Sequence, residues 1–243
     1  GVKLASGSKP FDLSFFENEI VSITGLIGSG KTTLASQIFG LDPNSKVKMT
    51  LNGDAYKPKS PKEAIAAGVF MCPKDRASNA VVSEFDISNN LALPFLKRHS
   101  RLSFLRSKSL AQNARNSIDK LGIVCQSEMD SVTTLSGGNQ QKVMVGRWLA
   151  EESSVLLLDE PFQGVDIKAR RDIGLQIRST SSQRATLIFV AELDEALEIA
   201  DRVIVLHEGN LVGEYQNKRK NIPEIVSSFS GSAYNQDSSN YGT

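Results

Sequence analysis

A glycine-rich run that ends in a lysine and a threonine is the strongest chemical signal in the chain. The run Gly25–Thr32 reads GLIGSGKT, fits the pattern G-x-x-x-x-G-K-[ST], and directly follows the apolar stretch Ile20–Thr24. Its glycines allow backbone N–H groups to point at phosphate oxygens, and the helix expected after Gly30 presents a positive N-terminus. Lys31 then reaches the β- and γ-phosphates, while the Thr32 hydroxyl can ligate Mg²⁺. We expect the loop to bind nucleotide through Gly25, Leu26, Ile27, Gly28, Ser29, Gly30, Lys31, Thr32 and Thr33.

A second apolar run ends in two acidic residues. Val155–Glu160 reads VLLLDE, which is typical of a buried strand that carries an aspartate to the metal beside a phosphate loop. Asp159 is therefore the expected metal ligand, together with Thr32. Glu160 points to the other side of the strand end and is the expected catalytic base that polarises an attacking water. Acids at a strand end are often only solvated, but the phosphate loop favours the metal site.

These residues need an α/β framework to bring them together. Short apolar runs alternate with segments of helical periodicity, which is typical of a mostly parallel sheet. Strands are expected near Ile20–Thr24, Val69–Cys72, Val155–Leu158, Thr186–Val190 and Val203–Leu206. The first helix is expected to follow Gly30 and to end near Phe39, and the others to cover Pro61–Ala67, Arg106–Leu121, Gly137–Ala150, Ile167–Ser181 and Leu193–Ala200.

The middle of the chain differs from the rest. Between Pro73 and Leu135 the strand signal disappears, and this pattern predicts a helical subdomain over about 76–135, inserted in the core. Whether such an insert moves against the core or packs rigidly on it stays open. The polar stretch 231–243 predicts a disordered tail, so the expected domain is 1–230.

The composition of the chain argues against several classes of binding partner. The 243 residues carry 28 Lys and Arg against 27 Asp and Glu, so a formal net charge of +1 gives no field that would gather nucleic acid. The two cysteines, Cys72 and Cys125, have no metal-ligand spacing. No apolar stretch is long enough to span a bilayer. If a membrane is involved, we expect another chain to supply it.

A third motif carries a family resemblance. Leu135–Lys142 reads LSGGNQQK, in which Ser136 offers a hydroxyl and Gly137 and Gly138 offer backbone N–H groups at a helix start. With the two motifs above, the chain resembles the ATP-binding cassette (ABC) family from about Leu4 to Phe229. In that family this run contacts the γ-phosphate of ATP held by the opposite cassette, so two ATP molecules lie in a head-to-tail dimer. The resemblance implies ATP, Mg²⁺ and a P-loop NTPase core with an antiparallel N-terminal β portion and a helical subdomain. The residues that it adds to the ATP site are Ser136, Gly137, Gly138 and Gln140.

The details of these motifs point to one branch of the family. LSGGNQQK, together with EPFQGVDIKAR at Glu160–Arg170, is similar to the second cassette of tandem ATPases in ribose- and galactose-type sugar importers. There Asp166 would be the residue that crosses the dimer interface. The resemblance implies a first cassette upstream of residue 1, transmembrane permease subunits and, indirectly, a periplasmic or extracellular solute-binding protein. It also implies a peripheral location at the cytoplasmic face of the cell membrane.

Three positions depart from the family pattern. Pro73–Arg76 reads PKDR, so Lys74 stands where a glutamine or, in this branch, a glutamate is usual. Ala191 stands where many ABC ATPases have histidine. The aromatic residue that commonly stacks on adenine is missing, and Leu4 and Phe11 are the nearest candidates.

Three functions follow from these observations. The first is an ATPase domain that energises import of a monosaccharide or similar small polar solute. The second is a degenerate half-site in which ATP supports dimerisation while the partner cassette does most of the hydrolysis; Lys74 and Ala191 favour it and Glu160 opposes it. The third is an ABC ATPase of DNA repair or translation, which the near-zero net charge disfavours.

Overall fold

A computed structural model describes residues 2, 4, 8–74, 81–101, 104–105 and 107–230, with side chains for all of these except 97–101, 104–105 and 107. The expected tail 231–243 and residues Asp75 and Arg76 of the PKDR run lie outside the described residues. None of the helices formed by the described residues combines the length and apolar character that crossing a bilayer requires.

Ten strands occur among the described residues. They are β1 (Ile20–Thr24), β2 (Met49–Leu51), β3 (Asp54–Tyr56), β4 (Val69–Cys72), β5 (Ser100–Arg101), β6 (Phe104–Leu105), β7 (Val155–Asp159), β8 (Ala185–Val190), β9 (Arg202–His207) and β10 (Asn210–Gln216). The helices are α1 (Lys31–Phe39), α2 (Pro61–Ala66), α3 (Ile87–Ala92), α4 (Ser107–Leu121), α5 (Gly137–Leu149), α6 (Ile167–Ser179), α7 (Leu193–Ile199) and α8 (Ile222–Phe229). Short 3-10 turns cover Leu93–His99, Val132–Thr134 and Arg219–Asn221.

Six strands form the central sheet in the order β10-β9-β1-β8-β7-β4. Strand β1 pairs in parallel with both β8 and β9, and β7 pairs in parallel with β8. Every residue of β1, β4 and β8 is buried. Strands that are covered on both faces are rich in apolar residues along their length. This is why the sequence predicts five of the six strands of this sheet. The mostly parallel α/β fold is confirmed.

The structure also contains antiparallel strands, and the sequence predicted only some of them. Strand β10 pairs antiparallel with β9 at the sheet edge, and its residues are only partly buried. The antiparallel portion expected near the N-terminus is present as the β2–β3 hairpin and a bridge between Val2 and Phe11. The expectation of no strand between Pro73 and Leu135 was wrong, because β5 and β6 pair there. Each has two residues, which is too short for an alternating pattern to appear in the sequence.

The described residues form two compact units. The first unit comprises those within Gly1–Met71, Ser153–Glu160 and Ser181–Thr243, and the second comprises those within Cys72–Glu152 and Pro161–Thr180. The core of the first unit is an apolar cluster that joins the central strands to α1; it includes Ile23, Leu34, Leu157, Leu187 and Leu206. The core of the second unit lies among α3, α4 and α5 and includes Ile87, Leu91, Leu121 and Val143.

One buried arginine anchors the segment that leads into β1. Arg202, at the start of β9, binds both carboxylate oxygens of Glu19 at 2.7 Å and donates to the Ser14 carbonyl oxygen at 2.7 Å. It also pairs with Glu214 of β10. Its side chain is only 6% exposed, so these bonds are shielded from water. The network fixes where β1 begins and therefore where the loop after β1 emerges.

Candidate nucleotide-binding site

The loop GLIGSGKT connects β1 to α1 in the first unit, as its spacing predicts. Gly25 has a φ of +148°, and a Cβ atom at this position would lie 2.0 Å from the Leu206 carbonyl oxygen. Only glycine lets the loop pass so close to β9. Further along, the Ser29 carbonyl accepts from the Gly209 N–H at 3.1 Å. The loop is therefore held at two points by β9 and the turn that follows it.

Lys31 lies in the first turn of α1 and is buried. Its Nζ donates to the carbonyl oxygen of Gly25 and, at 3.4 Å, to that of Leu26. The ammonium group thus bridges the start of the loop from the helix side. To bind β- and γ-phosphates it must exchange these carbonyl oxygens for phosphate oxygens, which are stronger acceptors because they are charged.

The two expected metal ligands meet where the first turn of α1 faces the end of β7. Thr32 Oγ1 lies 3.5 Å from Asp159 Oδ2, and Asp159 is 2% exposed. A hydroxyl and a carboxylate are the hard oxygen donors that Mg²⁺ prefers, and Mg²⁺ usually takes one or two carboxylates alongside substrate phosphates. The chemistry of this donor pair fits Mg²⁺ at a bound nucleotide.

Glu160 follows directly and has an unusual backbone. Its φ is +50°, in the left-handed region that side-chain-bearing residues rarely adopt. Its N–H donates to the Phe189 carbonyl at 2.8 Å, and its Oε2 accepts from the Ala191 N–H at 3.3 Å. Ala191, the position where histidine was expected, therefore contacts the predicted base through its main chain. Nearly every residue type has a main-chain N–H group, so the residue types along the chain give no sign of this contact.

The remaining predicted residues lie in the second unit, at the starts of two helices. Ser136 caps α5, its Oγ accepting from the Asn139 N–H at 3.4 Å, and Gly137 and Gly138 form the first turn of that helix. Asp166 caps α6, its Oδ1 accepting from the Ala169 N–H at 2.8 Å. The Gln140 side chain donates to the Leu135 carbonyl at 3.1 Å.

Three further positions singled out in the sequence, Leu4, Phe11 and Lys74, differ in burial. Leu4 is buried and packs against Gly30, so it serves the core, whereas Phe11 keeps part of its ring accessible. Lys74 belongs to the second unit and is exposed. Of the two adenine-stacking candidates, Phe11 is the more available.

The sequence of the chain matches a known protein family. The family model described as ABC transporter matches residues 8–163. The chain belongs to the ABC transporter family. The match spans the phosphate loop, the LSGGNQQK run and both strand-end acids.

Within this family, the chain is similar to proteins named for sugar import. The chain is 36% identical over 221 residues to the ribose import ATP-binding protein RbsA 2 of Rubrobacter xylanophilus, covering 90% of this chain and 43% of that protein. It is 33% identical over 219 residues to the galactose/methyl galactoside import ATP-binding protein MglA of Fusobacterium nucleatum, covering 88% and 44%. The chain therefore spans less than half the length of these relatives.

Solved structures agree on the fold. A nucleotide-free ATP-binding cassette from an ABC transporter superposes with a TM-score of 0.74 at 20% identity, covering 88% of this chain and 87% of that one. The dimeric cassette MJ0796, in a post-hydrolysis state bound to ADP and Pi, gives a TM-score of 0.73 at 20% identity, covering 87% and 90%. At this identity the likeness shows a shared cassette fold.

The close approach at Gly25 generates a prediction. We expect Gly25→Ala to lower the free energy of unfolding by about 3 kcal/mol or more, because the methyl group must displace the Leu206 backbone and the residue must keep a positive φ. Gly28→Ala is the matched control, since its Cβ meets no atom within 4 Å and only the backbone strain remains. Urea unfolding measures both. Equal losses for the two variants would contradict the packing described here.

Proposed function

We propose that the chain is the ATP-hydrolysing cassette of an importer for a monosaccharide or a similar small polar solute. The observation that carries this proposal is the convergence, in one unit, of Lys31, the Thr32–Asp159 pair and Glu160. Phosphoryl transfer to water requires a cation that neutralises phosphate charge, a pair of oxygen atoms that bind the metal, and a carboxylate base.

Each group has a distinct part in the reaction. The loop N–H groups and Lys31 bind the β- and γ-phosphates and offset the charge that develops on them. Thr32 and Asp159 would hold Mg²⁺, which supplies neutralisation of phosphate charge when bound. Glu160, at the end of β7, orients a water molecule and accepts its proton as that water attacks the γ-phosphorus. The leaving group is ADP, whose terminal oxygen stays within reach of Lys31.

We also infer that the site is completed by a second cassette. The starts of α5 and α6 present Ser136, Gly137, Gly138, Gln140 and Asp166 as a surface with N–H groups and a positive helix end. The nucleotide-bound MJ0796 cassette is described as a dimer, which supports an opposing cassette here. Because relatives named as import ATP-binding proteins are more than twice as long as this chain, we propose that the opposing cassette lies in the same full-length protein.

The remaining partners follow from the same relatives. We propose transmembrane permease subunits that the cassette drives from the cytoplasmic face of the membrane, and a solute-binding protein that delivers the sugar to them. The half-site alternative rested on Lys74 and Ala191. It is less well supported, because Glu160 is retained and its carboxylate has a hydrogen-bond donor in Ala191.

The lysine gives the first test. We expect Lys31→Ala to weaken binding of Mg·ATP by at least about tenfold in calorimetry, because it deletes charge-assisted hydrogen bonds to phosphate oxygens. Lys46→Ala removes an exposed lysine of the same unit and should leave the affinity unchanged. In cells that carry the full-length protein, Lys31→Ala should also abolish uptake of labelled ribose, galactose or arabinose. Unchanged affinity would refute the phosphate role, and unchanged uptake of all three sugars would refute the substrate class.

The shared site gives the second test. We expect Gly137→Asp to lower ATP hydrolysis by the full-length protein at least about tenfold, because it places a carboxylate where the γ-phosphate held by the opposite cassette would lie. The Kd of the isolated chain for Mg·ATP should stay within about twofold of wild type, because its own phosphate loop is unchanged. Gly53→Asp adds the same carboxylate at an exposed glycine whose Cβ would meet no atom within 4 Å, and it should change neither quantity. Wild-type hydrolysis by Gly137→Asp would contradict completion by a second cassette.

A further inference from the structure

The ladder between β7 and β8 ends in an irregular way at Glu160. Asp159 lies opposite Phe189 in this parallel pair, and the Glu160 N–H donates to the Phe189 carbonyl at 2.8 Å. In a regular parallel ladder the next bond would run from the Ala191 N–H to the Glu160 main-chain carbonyl. The structure departs from that pattern at this bond.

The departure replaces a main-chain acceptor with a side-chain carboxylate. At a φ of +50° the Glu160 backbone turns out of the strand conformation. The Ala191 N–H then donates to Glu160 Oε2 at 3.3 Å. Glu160 is 8% exposed, so little water competes for this bond. Strained backbone of this kind is concentrated at functional sites, where neighbouring structure maintains it.

We propose that the main-chain N–H of Ala191 is the positioning group for Glu160. It holds Oε2 and thereby fixes the rotation of the carboxylate, which leaves Oε1 to face the attacking water. This inference rests on the proposed function, in which Glu160 is the base. It explains how alanine can occupy position 191: the orienting contact comes from the main chain, which every residue except proline supplies.

The experiment removes that N–H and leaves every side chain in place. Replacing Ala191 by its α-hydroxy acid analogue, lactic acid, converts the amide to an ester and deletes the donor while keeping the methyl side chain. In the full-length protein, we expect kcat for ATP hydrolysis to fall on the order of tenfold, as the loss of one hydrogen bond to a charged group implies. The Kd for Mg·ATP should stay within about twofold, because Lys31 and Thr32 are untouched.

The same chain offers a matched control. Ala185 lies at the other end of β8, and its N–H donates to the Ser154 carbonyl at 3.0 Å. The identical ester substitution there removes one main-chain hydrogen bond from the same strand and should leave kcat unchanged. An ester at Ala191 with wild-type kcat would overturn the proposal. Equal losses of kcat for the esters at Ala191 and Ala185 would overturn it as well, since they would indicate a general effect on β8.

A second measurement needs no ATP. In a ¹H–¹⁵N spectrum of the chain without nucleotide, Glu160→Gln should move the Ala191 amide proton upfield, because a neutral amide oxygen is a weaker acceptor than a carboxylate. Glu17→Gln makes the same change at an exposed residue and should leave that resonance in place. An Ala191 resonance that Glu160→Gln does not move would overturn the positioning role. Absence of ATP hydrolysis by the wild-type protein would overturn the proposed function instead, whatever this resonance does.

Discussion

The parallel pairing of β1, β8 and β7 is the constraint on which the candidate site depends. Parallel strands end at the same edge of a sheet, so the loop after β1, the acids that end β7 and the residue after β8 are brought together there. The Thr32–Asp159 and Glu160–Ala191 contacts are direct results of this pairing. Slippage of β7 by one residue would turn Asp159 to the other face of the sheet and separate the metal-binding pair.

The loop itself is supported from behind by β9. Gly25 passes against the Leu206 carbonyl and Ser29 is bonded to Gly209, so both ends of the loop have fixed points. Arg202, at the other end of β9, ties the same strand to the segment that leads into β1. Preorganisation of this kind lowers the entropic cost of aligning backbone donors on phosphate oxygens. The functional surface is thus set by the sheet and by β9 as much as by the motif residues.

Much of this arrangement was predictable from the sequence. The strands of the sheet centre are mostly apolar runs, and the phosphate loop and the strand-end acids follow two of them directly. The sequence therefore placed β1, β7 and the Thr32–Asp159 pair in advance. Edge strand β10 and the two-residue strands β5 and β6 could not, because partial burial and short length leave no periodic pattern. The Ala191 contact was also hidden, since main-chain hydrogen bonds depend on backbone conformation and not on residue type.

The Glu160→Gln variant tests the role of Glu160 most directly, when its rate of ATP hydrolysis is compared with its affinity for ATP. If Glu160 is the base of a hydrolytic site held at the sheet edge, hydrolysis should fall by roughly a hundredfold or more while the Kd for Mg·ATP stays within a few-fold of wild type. The amide keeps the size of the side chain and can still accept from Ala191, so binding and fold are preserved. Hydrolysis within a few-fold of wild type would show that Glu160 is not the base.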